Sequence, residues 1–110
     1  MTAQHREYAS GKWNDLSLME QLANTGSEIE RTISWKKKGN IEYSRLAFNR
    51  ALELLNLTIL DEKNKKRLKE LTRTREALVD HFLCDNTYNT TEDQWRNYFA
   101  GFTYAVRANK

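Results

Sequence analysis

The stretch "SLMEQLANTGSEIERTISWKKKGN", residues 17–40, decides the fold because it signals both ends of one long helix. Ser17 and Glu20 form the S-x-x-E pattern of a capping box, in which each side chain bonds the backbone N–H of the other residue. Residues with the spacing of one helix face follow, namely Met19, Leu22, Gly26, Ile29 and Ile33. Three lysines and then Gly39 are typical of a helix end. The stretch therefore predicts a complete helix.

Two more helices are indicated downstream. Asn40 can cap a second helix that runs to about Leu60, and its end, "LELLNLTIL", is apolar on more than one side. We therefore expect this helix to be the most buried one. Asp61 or Asn64 begins a third helix, which runs to about Leu83.

A fourth helix completes the expected architecture. Thr91 and Gln94 offer a second capping box for a helix to about Arg107. Four helices joined by short turns predict an all-α, up-down-up-down four-helix bundle. Residues 1–13 are polar and aperiodic, so we interpret them as a flexible N-terminal tail and residues 14–110 as a single helical-bundle domain.

The composition narrows the class of protein. The 110 residues contain no proline and four glycines, which favours helices over turn-rich folds. Cys84 is the single cysteine, so an internal disulfide is excluded and a reducing compartment is expected. No secretory signal or membrane-length apolar run is present, and the His and Cys spacing suits no metal. We expect a cytoplasmic protein without cofactor, metal or membrane attachment.

Arg75 interrupts the apolar stripe of the third helix. The stripe passes through Leu68, Leu71, Leu78 and Phe82, and Arg75 stands where an apolar residue is expected. One interpretation is structural: a core-facing arginine paired with a carboxylate on a neighbouring helix, for which Glu30 and Glu53 are candidates. In this interpretation His81 is a half-exposed residue near the helix end.

The other interpretation is a site formed by Arg75 and His81. The pattern Arg75-x5-His81 resembles the R-x4-6-H pattern of the HEPN superfamily, which contains small four-helix bundles. Many HEPN proteins are metal-independent ribonucleases that act as dimers. The resemblance implies that Arg75 contacts the phosphate and that His81 is the general acid or base. An imidazole titrates near neutral pH, and a guanidinium matches phosphate geometry.

Residues 35–60 resemble a single tetratricopeptide repeat. The resemblance rests on Trp35, Gly39, Tyr43, Phe48, Ala51 and Leu55. Such repeats bury their faces against stacked neighbours, and this chain holds about one. We therefore interpret the segment as ordinary helix packing.

A basic run precedes the third helix. It comprises Lys63, Lys65, Lys66, Arg67 and Lys69, and the bundle topology brings Arg107 to the same end. Cations at a helix start oppose the helix dipole, so the run is not explained by helix stability. It is either a solvated face or a surface that binds RNA or DNA.

The last helix carries an aromatic face. Its members are Trp95, Phe99, Phe102 and Val106, and we interpret them as core, with a dimer seam as the alternative. Tyr8 and Trp13 in the tail could pack over the bundle or a partner. Together the patterns favour a binding protein that contacts itself or a protein partner. The alternatives are a HEPN-like ribonuclease or nucleotide-binding dimer, and a nucleic-acid binder that uses residues 63–69.

Overall fold

The computed structural model describes residues 11–108 as four α-helices and two short 3₁₀ segments. The helices are α1 (Leu18–Lys37), α2 (Ile41–Leu60), α3 (Leu68–Leu83) and α4 (Glu92–Ala108). The 3₁₀ segments are Lys12–Asp15 and Glu62–Arg67. Helix α1 packs against both α2 and α4, and α2 packs against α3. The predicted all-α four-helix bundle is confirmed.

The predicted helix ends agree closely with the structure. Ser17 and Glu20 form the complete capping box of α1, with bonds of 3.0 and 3.1 Å. Gly39 ends α1 with a φ of 80°, a conformation that glycine adopts without steric cost. The Asn40 side chain caps α2 by accepting the backbone N–H of Tyr43 at 3.0 Å. Each of these helix ends depends on residues within one helical turn, so the sequence alone predicts it.

The third helix begins later than predicted. Asp61 starts a 3₁₀ segment, which its side chain caps by accepting the N–H of Lys63 at 3.1 Å, and α3 follows from Leu68. Thr91 and Gln94 make the predicted capping box of α4, with bonds of 2.8 and 3.1 Å.

The core lies between the inner faces of all four helices. Its buried apolar residues are Leu22, Ile29, Ile33, Phe48, Ala51, Leu55, Leu71, Leu78, Trp95 and Phe99. Phe102 packs against this cluster while half buried, and Met19 is 39% exposed. The interpretation of the α4 aromatic face as core is confirmed for Trp95 and Phe99.

Trp13 corrects the predicted end of the tail. Its side chain is fully buried and its indole N–H donates to the Thr58 hydroxyl at 3.1 Å. The folded part of the chain therefore includes Trp13. Tyr8 and the remainder of the predicted tail lie outside the described residues.

Candidate functional site

Arg75 lies at the edge of the buried face of α3. The buried positions are Leu71, Thr74 and Leu78, so the stripe passes beside residue 75. Its guanidinium Nε donates to the side-chain oxygen of Asn56 on α2 at 2.8 Å. The interpretation of Arg75 as a core-facing ion pair is therefore wrong, because the turn of the helix gives the core position to Thr74.

One of the two proposed carboxylate partners of Arg75 is bonded to another arginine. Glu30 instead accepts two bonds from Arg96 on α4, at 2.9 and 3.0 Å. A buried glutamate of α1 is Glu28, which accepts a bond of 2.6 Å from Arg31 one turn away. The Arg96 pair therefore ties α4 to α1.

His81 belongs to a different set of contacts. Its Nδ1 lies 2.9 Å from the Thr90 hydroxyl, which also accepts the indole N–H of Trp95 at 3.1 Å. The imidazole packs edge-on against Phe82, with ring centroids 4.6 Å apart. His81 thus helps to attach the α3–α4 turn to the start of α4.

The structure does not bring Arg75 and His81 to one site within a single chain. Arg75 reaches toward α2, whereas His81 reaches toward the α3–α4 turn and α4. Arg75 lines an open groove on the outer face of α3 together with Asp80, Cys84 and Tyr88, and His81 does not line it. The HEPN-like site stays a prediction, and it would require a second chain.

The α3–α4 turn is held by side chains that sequence reasoning did not single out. The Asp80 carboxylate accepts the backbone N–H groups of Tyr88 and Thr87, both at 2.9 Å, and these bonds lower its pKa. Asn86 has a φ of 54° and accepts the backbone N–H of Thr90 at 3.0 Å. Asparagine tolerates this left-handed conformation, which is the signal that could have identified the turn.

Two cations of the predicted basic surface have other contacts. The Lys63 ammonium is paired with Asp61 and also donates to the Asn14 carbonyl at 3.0 Å. Arg67 pairs with Glu70 at 2.8 Å, which raises the pKa of the arginine and lowers that of the glutamate.

Three lysines remain from the predicted basic surface, and we call them the three-lysine patch: Lys65, Lys66 and Lys69. They are exposed and make no ion pair with another residue of the 11–108 region. Two of the six predicted cations, Lys63 and Arg67, are therefore paired within the chain.

A buried polar network lies beneath Lys63. Gln21 on α1 donates to Asp61 at 2.8 Å and to the Trp13 carbonyl at 3.0 Å. Asn64 donates to Gln21 and to the Thr58 carbonyl, both at 2.9 Å. Burial opposes ionisation of Asp61, but the bonds from Lys63 and Gln21 outweigh it and lower the pKa of Asp61. The network fixes the segment before α1 to the ends of α2 and the 3₁₀ segment.

A groove of about 400 Å³ runs between α1 and α4. Ile29, Trp95 and Phe99 contribute apolar surface to it, and Arg96 and Arg107 contribute cations. We call it the α1–α4 groove. The prediction that Arg107 extends the basic run at residues 63–69 stays a prediction.

Gly26 allows the two walls of the α1–α4 groove to approach each other. A Cβ at this position would lie 2.6 Å from the Phe99 Cβ, closer than carbon atoms can pack. Tyr104, on the α4 wall, is 75% exposed. The groove therefore has buried apolar side chains at its base and the exposed ring of Tyr104 at its edge.

Two further features, a metal-binding cluster and a membrane-spanning helix, are absent from residues 11–108. No group of three His, Cys, Asp or Glu side chains there is placed to hold a metal ion. No helix in that part of the chain is both long and apolar enough to cross a bilayer. Known protein families, curated proteins and solved structures were compared with the chain. None of them matches it.

Proposed function

We propose that this chain is a cytoplasmic helical-bundle protein that acts by binding protein, itself or a partner, through the α1–α4 groove. The observation that carries the proposal is the groove itself. Its floor is apolar, its rim holds Arg96 and Arg107, and an exposed Tyr104 stands on one wall. Aromatic and arginine side chains are enriched where protein surfaces bind each other.

The contacts of His81 also support binding over catalysis. The Nδ1 of His81 is hydrogen-bonded to the Thr90 hydroxyl, which also accepts the indole N–H of Trp95. A general acid or base must reach the proton that it transfers. In one chain the imidazole is held toward α4, away from the Arg75 groove.

Site-specific photo-crosslinking in cells tests the binding proposal. A photoreactive phenylalanine analogue replaces Tyr104, whose exposed ring extends from the α1–α4 groove. The matched control replaces Tyr43, a 49% exposed tyrosine on α2. We expect a discrete protein adduct, with a second copy or with another protein, from position 104 and none from position 43. The absence of an adduct from position 104, or equal adducts from both positions, contradicts the proposal.

A HEPN-like ribonuclease is the second candidate function. It is favoured by the position of Arg75, which lines an open groove and makes its hydrogen bond to an amide, leaving charge for a phosphate. The test is RNA cleavage in the presence of a chelator by the wild type, Arg75→Ala and His81→Ala. The binding proposal predicts no cleavage by any of the three. Cleavage that is lost in both variants would establish the ribonuclease instead.

A further inference from the structure

An exposed row of side chains follows the outer edge of α4. We call it the α4 seam, and its members are Asp93, Asn97, Ala100, Tyr104 and Arg107. The spacing alternates between four and three residues, which is the spacing of a straight contact line between two packed helices. Ala100, Tyr104 and Arg107 also line the α1–α4 groove, so the seam borders it along its length.

The charges of the α4 seam are symmetric about Ala100. Asp93 lies seven residues before Ala100, and Arg107 lies seven residues after it. If two copies of α4 pack antiparallel with a two-fold axis at Ala100, each Asp93 faces the Arg107 of the other copy. In a two-fold interface both copies use the same surface, so one complementary pair occurs twice.

Neither seam charge is paired in a salt bridge with a residue of the 11–108 region, although Asp93 lies near enough to Arg96 to interact with it electrostatically. Asp93 and Arg107 are both exposed. The nearby Arg96 is, by contrast, already bonded to Glu30. Antiparallel packing also places the start of each α4 beside the end of the other, so the two helix dipoles attract.

The centre of the α4 seam permits close packing. Ala100 is exposed and small, and beside it Gly101 has open space around its Cα, since an added Cβ would meet nothing within 4 Å. Small residues let two helices pack within the usual range of about 8–10 Å between axes. The ring of Tyr104 then covers Asn97 of the other copy and extends into its groove.

We propose that the occupant of the α1–α4 groove is a second copy of this chain, paired through antiparallel α4 helices about Ala100. The inference rests on the proposed binding function and names its partner. The self-complementary charges of the seam favour a second copy, because another protein would have to carry a cation opposite Asp93 and an anion opposite Arg107. Helix α3 contributes no residue to the seam or the groove, so this dimer leaves Arg75 and His81 outside its interface.

Charge reversal tests the proposed pairing by sedimentation equilibrium of the purified full chain. Asp93→Arg and Arg107→Asp each place like charges opposite each other at both ends of the seam. We expect the wild type to form a dimer and each single variant to raise the dissociation constant at least tenfold. The double variant exchanges the two charges and again places opposite charges at both ends of the seam, so we expect it to recover most of the affinity that either single variant loses.

Two matched variants control for the charge changes themselves. Glu42→Arg reverses an exposed acid in the first turn of α2, and Lys37→Asp reverses an exposed base in the last turn of α1. We expect both to dimerise as the wild type does, and circular dichroism to show that all variants keep their helices. A monomeric wild type overturns the inference, and so does a dimer that ignores the seam charges.

The binding function and the homodimer can fail separately. A Tyr104 adduct with a different protein, combined with a monomeric purified chain, preserves the binding function and refutes the second copy. Cleavage of RNA that depends on Arg75 and His81 refutes the binding function whatever the sedimentation result.

Discussion

Replacement of Gly26 by alanine tests the close contact between α1 and α4 that shapes the groove. A Cβ at this position would lie 2.6 Å from the Cβ and 2.9 Å from the Cγ of Phe99. Carbon atoms pack at about 3.5–4.0 Å, so the helices must separate by up to about 1 Å. Because the contact is with the base of the Phe99 side chain, rotation of the ring cannot relieve it. Overpacking of this kind costs about 1–3 kcal/mol.

Gly101→Ala is the matched control, since Gly101 lies on the exposed face of α4 with open space around it. Both substitutions gain about 1 kcal/mol of helix propensity, so this gain cancels when the two variants are compared. We expect Gly26→Ala to be less stable than Gly101→Ala by about 1–3 kcal/mol, the overpacking cost alone. The assay is urea unfolding at a protein concentration at which both variants sediment as monomers, because association shifts apparent stability. Equal or greater stability of Gly26→Ala would refute the close contact.

Three further predictions concern the other end of the bundle. Trp13→Phe removes the hydrogen bond to Thr58 and is expected to lower the free energy of unfolding in urea by about 1–3 kcal/mol. Trp13→Ala is expected to lower it by about 3–5 kcal/mol. Unchanged stability in both variants would show that Trp13 is not part of the core. The pKa of Asp61 in the folded state lies below its ordinary value of 3.8. The ionised carboxylate therefore stabilises the fold fully above pH 3.8, and this stabilisation is lost as the pH falls through the folded pKa. Acid unfolding should therefore shift to lower pH than in Asp61→Asn, and identical acid midpoints would show that the network does not favour the carboxylate. Any binding of single-stranded RNA through the three-lysine patch should show a log–log salt slope of about −2, whereas all five cations of residues 63–69 would give about −3.5 and contradict the pairing of Lys63 and Arg67.

The sequence predicted features that depend on neighbouring residues. The capping boxes at Ser17 and Thr91, the Asn40 cap and the Gly39 terminus are each decided within one helical turn. The helical period then predicted most of the side chains of α1 and α4 that face the core, with Met19 as an exposed exception. These local rules suffice for an all-α bundle because each helix buries one face.

The features that the sequence did not reveal depend on residues far apart in the chain. Trp13 is buried through its bond to Thr58, 45 residues away, and no local pattern marks it as part of the core. A regular stripe made a core-facing Arg75 one of the two interpretations, but the buried face passes through Thr74. Lys63 was likewise counted among the cations available to bind a nucleic acid, but it is paired with Asp61.

The candidate site illustrates the same division. The sequence identified the charged and aromatic residues, including Arg107, which it placed at the same end of the bundle as the basic run at residues 63–69. Only the packing of α1 against α4 shows that Arg107 shares a groove with Trp95 and Phe99. A groove is a property of two helices, so its residues cannot be recognised from the period of either one.

Disulfide cross-linking at Ala100 tests the central claim, a homodimer through α4, most directly. Two helices packed about 8–10 Å apart, each with Cα atoms about 2.3 Å from its axis, bring the facing Cα atoms to about 3.4–5.4 Å. This range overlaps the separation of about 4.4–6.8 Å that a disulfide requires. In a Cys84→Ser background, Ala100→Cys should form a covalent dimer under mild oxidation, whereas Asn49→Cys, exposed on α2, should stay monomeric. No covalent dimer from Ala100→Cys, or equal amounts from both variants, would contradict the account.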